Sequence, residues 1–251
     1  MSGLFHTFLY QPLFNIFVGL YNLIPDVGVG ILLITIIVKA ILYPLNSSSI
    51  KAQKSLSDMQ PKIDALKAKY KDEKQKIAEE TMKLYKENKI NPMASCLPLL
   101  VQLPIFIALY WVLRDGLSTN NFDTLYSFVK NPGSINTVTL GLVDLKNNSL
   151  ILAIFAGAAQ FWQAKSMMRK KAPVEAGAGA KDENMMSMMN KQMLYLMPVM
   201  TVLIGMKLPG GLSLYWFLST ALMALQQMLV MRTPSAGGPT APTAIEGKIV
   251  K

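Results

Sequence analysis

The chain has 251 residues, of which 51% are hydrophobic and only 16% charged, with a net charge of +10. That charged share is well below the roughly 25% of a soluble domain, so an ordinary soluble core is excluded and membrane spans are expected. The positive charge bears first on topology, because Lys and Arg collect in cytoplasmic loops.

Residues 3–22 carry Thr7, Gln11, Asn15 and Asn22 on one helical stripe and Leu9, Leu13, Phe17 and Leu20 on another, with Pro12 between. This predicts an interfacial amphipathic helix within an N-terminal segment, 1–25, lying along the membrane surface. A poor first span is the alternative. With no basic region before the apolar stretch and no small-residue cleavage motif, no cleavable signal is expected.

Five apolar runs follow, at 27–45, 95–113, 150–164, 193–208 and 211–231. The first, second and last have the roughly 17–25 residues that cross a bilayer as a helix. The run at 193–208 is short. So is 150–164, unless Met167 and Met168 extend it. The expected fold is therefore all-α: a polytopic membrane protein with five transmembrane helices in a core spanning 26–232.

Between the first two runs, residues 46–92 hold eleven lysines and seven acidic residues. Ile50, Leu56, Met59, Ile63, Leu66 and Tyr70, then Ile77, Thr81 and Leu84, recur at helical spacing. This predicts a two-helix hairpin with a thin apolar seam. Pro61 should kink or restart its first arm, and Asn91-Pro92 should end its second. Most of the lysines read as a solvated face. The loops at 46–92 and 165–191 are lysine-rich and so cytoplasmic. The loop at 114–149 has three basic residues and lies outside with the 207–211 turn, giving an external N-terminus and an internal C-terminus. The tail at 233–251, rich in Pro, Gly, Ala and Thr, reads as disordered.

Catalytic signals are nearly absent. There is no phosphate-binding loop, zinc-protease motif or Cys/His cluster. His6, the only histidine, reads as an ordinary interfacial residue. The single cysteine, Cys96, allows no internal disulfide and does not resemble a lipid attachment site. A nucleotide-driven pump or a hydrolase is not expected, nor is any cofactor or metal.

Lys39 stands out as a charge inside the first span, about six residues or roughly 9 Å from its inner end. A mid-span lysine costs about 2.5–3.5 kcal/mol on insertion scales, less where the stem snorkels to the surface. Snorkelling and a functional role are both open on this residue alone. Thr35 is one turn away on the same face. Gln102 lies in the second span, Gly157, Gln160 and Ala164 share a face of the third, and Ser213, Trp216, Thr220 and Gln227 follow helical spacing in the last. Polar groups in lipid need partners or water. One solution turns these faces toward a shared wet cavity, with Lys39 as its fixed charge. The other uses Ser, Thr and Gln to join helices.

The run Asn91-Pro92, Cys96, Pro98, Gln102, Pro104, Phe106 after a lysine-rich hairpin resembles the YidC family of membrane protein insertases, relatives of the Oxa and Albino proteins. Ile36–Leu45 is similar to the family's first core span and Met59-Gln60-Pro61-Lys62-Ile63 to the start of its cytoplasmic hairpin. Pro209-Gly210-Gly211-Leu212, Leu214-Tyr215-Trp216 and Gln226-Gln227 are similar to its last hairpin and span. The resemblance covers about 5–232. It implies a groove open to the cytoplasm and lipid and closed outside, with a basic residue in the first core span. Lys39 stands at that position, where many members have Arg, so charge rather than a planar fork is what remains. Thr35 and Trp216 match positions similar to substrate-contacting sites, and Gln160 also carries over.

By the same resemblance the partners are nascent membrane proteins and the lipid bilayer of a bacterial plasma (inner) membrane, with the ribosome and the Sec translocon left open. No direct nucleic-acid specificity is implied. The expected activity is insertion of short-tailed membrane proteins without nucleotide hydrolysis, with help in folding. The large extracytoplasmic domain of many members, the lipid-modified cysteine of others and the dense basic tail cluster of some are absent from this sequence. A chaperone that assembles spans without inserting them, and a small-solute transporter, are the alternatives. The methionines at 185–189 read as core or lipid-facing residues, or as an adaptable surface for greasy substrates.

Overall fold

The computed structural model describes residues 3–70, 73–95, 97–119, 122–167 and 192–232. Cys96, most of the 165–191 loop with its methionines, and the tail lie outside them. The described chain is mostly helical. Pro12 sets the first element. It lacks an N–H, and it sits in the first turn of α1 (Gln11–Leu23), entered through a π-helical turn at His6–Tyr10. Phe14, Phe17, Val18 and Tyr21 of α1 are buried against the rest of the protein.

After a turn at Ile24–Asp26 the chain enters α2 (Val27–Ile41), capped by the Asp26 side chain, which accepts from the Val29 N–H at 3.0 Å. α2 stops two residues after Lys39. Pro44 has no N–H for the Ala40 carbonyl and its ring would crowd that group. The chain bends by 66° and continues as α3 (Tyr43–Tyr70). Lys39 therefore lies in the last turn of α2, not six residues inside a straight span. The expected restart at Pro61 does not occur either: α3 runs through it to Tyr70.

α4 (Lys74–Glu87) folds back so that Lys62, Leu66 and Lys69 of α3 line a cleft of about 290 Å³ with Glu80, Lys83, Leu84 and Glu87 of α4. Asn88 and Lys89, the latter at φ +54°, end α4 ahead of Asn91-Pro92. A 3-10 turn at Pro92–Ser95 leads to α5 (Leu97–Arg114), with Pro98 in its first turn and Pro104 inside it. α5 carries on through a π-helical turn, Asp115–Thr119.

The loop read as merely polar contains a two-stranded antiparallel sheet, β1 (Val138–Thr139) and β2 (Val143–Asp144), paired Val138 to Asp144 and Thr139 to Val143. α6 (Leu150–Met167), α7 (Met197–Gly205) and α8 (Gly210–Arg232) complete the chain, with α6 packed against both others. Two helices are long and apolar enough to cross a membrane, or three if the bent α2–α3 pair is one span, and 194–205 is apolar but shorter. Length and composition of the described helices thus reach a lower number than the five spans expected.

The core lies where α1, α2, α5 and α8 meet the 122–149 loop: Phe14, Phe17, Ile31, Ile34, Leu109, Leu113, Leu212 and Tyr215 are buried together with Ile135 and Leu145. Outside it, Leu103 and Ile107 of α5, Ile151, Ile154 and Phe155 of α6 and Val199, Leu203 and Ile204 of α7 are exposed. An apolar exterior of this extent fits a protein whose solvent is lipid.

The stripe Gly157 and Gln160 faces α7. A Cβ on Gly157 would lie 2.5 Å from Val202 Cγ2 and 3.0 Å from the Pro198 carbonyl oxygen, the close approach that small residues permit between membrane helices. Gly157→Val should therefore lower stability by about 1–3 kcal/mol through overpacking, read as an earlier unfolding midpoint in detergent. An unchanged midpoint would mean that α6 and α7 are not held this close.

Candidate functional site

Lys39 reaches the interior from the last turn of α2. Its Nζ donates to Gln102 Oε1 on α5 at 3.4 Å, a long bond. Gln102 Nε2 donates to the Tyr215 hydroxyl on α8 at 2.6 Å. Ser219, buried, lies one turn further along α8. A ladder of polar groups thus crosses three helices and ends on a half-buried cation. Among the described residues no carboxylate pairs with Lys39. A buried charge without a counter-ion is costly unless water or a ligand meets it.

Aromatic rings flank the ladder. Phe106, one turn after Gln102, lies edge-on to Trp216 at 5.4 Å and tilted against Tyr215 at 6.3 Å. The i, i+4 pairs Gln102/Phe106 and Tyr215/Ser219 put these groups on matching faces of α5 and α8. The elbow that positions Lys39 is strapped to the far end of α8. Gln226 Nε2 donates to the Tyr43 carbonyl at 3.1 Å and to Ser47 Oγ at 2.9 Å. Lys54 Nζ reaches the Met231 carbonyl at 3.4 Å, where a helix C-terminus favours a cation.

The other residues singled out by spacing sit in several places. Thr35 is fully buried and its hydroxyl donates to the Ile31 carbonyl one turn back. Ser213, also buried, donates to the Gly205 carbonyl at 3.1 Å, tying α8 to α7 across the Pro209 turn. Gln160 accepts from the Thr201 hydroxyl on α7. Thr220 is buried one turn beyond Trp216. Lys39 and Gln102 are therefore brought together with Trp216 nearby, while the polar groups of Gln160 and Ser213 are committed to α7. Tyr215 and Ser219 were not marked by spacing. Their signal is present in the sequence, since Tyr215 precedes Trp216 and lies one turn from Ser219.

A second polar system lies at the other end of α5, between α1 and the 122–149 loop. Asn15 holds this loop with both ends of its amide, donating to the Thr124 carbonyl at 3.1 Å and accepting from the Tyr126 N–H at 2.6 Å. Gln11 donates to the same Thr124 carbonyl and Asn22 to the Lys130 carbonyl. Three members of the polar stripe of α1 thus bind loop backbone. Tyr10 donates to Asp115 Oδ2 at 2.8 Å, and Arg114 grips Asp115 Oδ1 through Nε and Nη2 while stacking on Trp111.

Apolar exposed helices, a loop bound to α1 and α2, and a cation with no carboxylate partner among the described residues, held between three helices, define a transmembrane protein with a polar site in its interior. A family model described as 60Kd inner membrane protein matches residues 19–236. The membrane protein insertase YidC of Fusobacterium nucleatum is 34% identical over 205 residues, covering 82% of this chain and 86% of its own length. The insertase YidC of Tolumonas auensis is 32% identical over 90% of this chain, which spans 36% of that relative. A crystal structure described as an active YidC insertase with the first transmembrane domain resolved matches with a TM-score of 0.56 and 26% identity, over 90% of this chain and 46% of that one. The chain belongs to the YidC family of membrane protein insertases.

Proposed function

We propose that this protein inserts short-tailed membrane proteins into a bacterial inner membrane through the polar site around Lys39, without nucleotide hydrolysis, and assists their folding. The observation that carries the proposal is the unpaired Lys39 amine, half-buried at the end of the Gln102–Tyr215 ladder. A cation in a setting of low dielectric attracts an acidic tail more strongly than it would in water. The apolar segment that follows leaves sideways into lipid, driven by burial from water. In this reading α2 with the elbow, α5, α6, the 193–208 run and α8 make five crossings. The N-terminus is outside, and α3, α4 and the C-terminus are cytoplasmic. Thr35 and Thr220 extend the site by one turn on either side of Lys39 and Trp216.

Nascent membrane proteins first meet the α3–α4 pair, whose lysines project a basic surface. Lys62→Glu with Lys83→Glu, both exposed on the cleft between these helices, should weaken recruitment of nascent chains at unchanged thermal stability. Equal crosslinking of nascent chains to both proteins would reduce the pair to a spacer. The function itself is tested in liposomes holding the purified protein alone. A single-span substrate with an acidic external tail should become protected from external protease. A protein that only chaperoned spans would leave that substrate outside.

A further inference from the structure

The outer β1–β2 turn has a chemistry that the polar ladder does not use. Leu140 and Leu142 stand at its tip, 74% and 83% exposed. Leu140 has φ +49° and Gly141 φ +70°, so both central turn positions are left-handed. Such turns ordinarily place Asn, Asp or Gly at the first of these positions, and a leucine there costs of order 1 kcal/mol. The strain is held by a clamp. The Leu140 N–H donates to Asp26 Oδ2 at 2.7 Å and the Thr139 hydroxyl to Asp26 Oδ1 at 2.6 Å. Gly28 lies so close that a Cβ there would fall 2.1 Å from Thr139 Oγ1.

We propose that this tip is a lipid-inserting wedge, docked in the headgroup and upper acyl region of the outer leaflet. Four features point to lipid. The clamp fixes the tip at the N-terminus of α2, level with the end of its apolar length, and so depends on the reading that α2 crosses the bilayer. Leu23, 79% exposed, and Ile24 precede the same clamp, and the exposed Leu32 and Ile36 of α2 continue the apolar surface downward. No charged residue occurs between Lys130 and Asp144. Two of the tip's backbone N–H groups are already engaged: the Leu142 N–H donates to the Thr139 carbonyl at 2.9 Å and the Leu140 N–H to Asp26, which removes part of the cost of entering a medium poor in water, while the remaining groups can meet the headgroup layer.

The wedge fixes the height of the outer seal and crowds the outer leaflet beside α2. Burial of two leucines there contributes through the hydrophobic effect, and the rigid clamp keeps that contribution from being lost to turn flexibility.

The test uses full-length protein carrying Cys96→Ser in phosphatidylethanolamine–phosphatidylglycerol liposomes, with an environment-sensitive fluorophore on Leu142→Cys. Its emission should shift to the blue and be quenched by lipids bearing a nitroxide near the headgroup, and not by aqueous iodide. The label on Ser134→Cys, in the polar part of the same loop, should show the opposite pattern. Adding Asp26→Ala should return the Leu142→Cys label toward the aqueous spectrum. A water-like spectrum at Leu142→Cys, as for a tip that docks on another protein, overturns the proposal. A label on Ile36→Cys separates the two readings: deep quenching there upholds the α2 span even if the wedge fails.

Discussion

Lys39→Ala is expected to lower insertion of an acidic-tailed substrate by about tenfold or more, with Lys39→Arg close to the parent. Two unit charges near 4 Å attract by about 1 kcal/mol in water and about 4 kcal/mol at the effective dielectric of a protein surface, and each 1.4 kcal/mol is about a factor of ten. The fold should survive the change, since the bond to Gln102 is long and Gln102 retains Tyr215. Insertion by proteoliposomes, normalised to correctly folded protein, is the measurement. A substrate whose external tail has its acidic residues replaced by Asn and Gln should lose little. If Lys39→Ala penalises both substrates equally, the lysine acts through packing and not through its charge.

Asp26→Ala should free the β1–β2 loop from α2. The substitution removes a helix cap, worth about 1 kcal/mol, together with two hydrogen bonds from the loop to a carboxylate. Bonds to charged groups contribute roughly 1.5–3 kcal/mol each. The effects overlap, and a local loss of about 2–4 kcal/mol is expected, read as faster hydrogen exchange across 122–149 with exchange in α8 unchanged. Burial alone would raise the Asp26 carboxyl, but the donors from Leu140, Thr139, Val29 and Gly28 outweigh it and hold the group below its ordinary range. Because the folded value is depressed, its stabilisation is complete above the unfolded value near pH 4. It is lost as pH falls through the lower folded value. Loop protection should therefore be flat from neutral pH to about 4 and decline below it. Asp144 is depressed in the same way by Thr137 and the Lys146 N–H, so Asp26→Asn should reduce the acid dependence without abolishing it. Protection that falls already between pH 6 and 7 would contradict this assignment.

The helices were legible because their signals are local. Apolar runs, the three- and four-residue spacing of 50–84 and the prolines mark elements directly in the chain. The bend after Lys39 was only half legible. Pro44 announces a break, but its consequence, that Lys39 ends a helix rather than sitting within one, depends on where α3 is strapped by Gln226 and Lys54. Pro61 gave the reverse lesson. A proline at an exposed position left the helix continuous, because α3 is held on both sides by packing of Ile50, Met59 and Ile63.

The candidate site followed the same division. Helical spacing identified polar faces but could not say which faces meet. Gln102 and Gln160 look alike in sequence. One reaches Lys39 and Tyr215, and the other is engaged by Thr201. Likewise the polar stripe of α1 could not name its partners: Gln11, Asn15 and Asn22 bind the backbone of a loop more than a hundred residues away. The small sheet went unread because two-residue strands leave almost no periodicity, although Val138, Thr139 and Val143 around Leu140-Gly141 carry the β-branched composition of one.

The central claim is that substrates pass the Lys39–Gln102 side of the bundle. A photo-crosslinking residue placed in turn at Gln102, Trp216 and Gln160, with a ribosome-stalled acidic-tailed nascent chain as substrate, tests it most directly. Adducts from 102 and 216, and little from 160, are the predicted result. Adducts from 160 with none from 102 or 216 would contradict the account, and would move the path to the α6–α7 face.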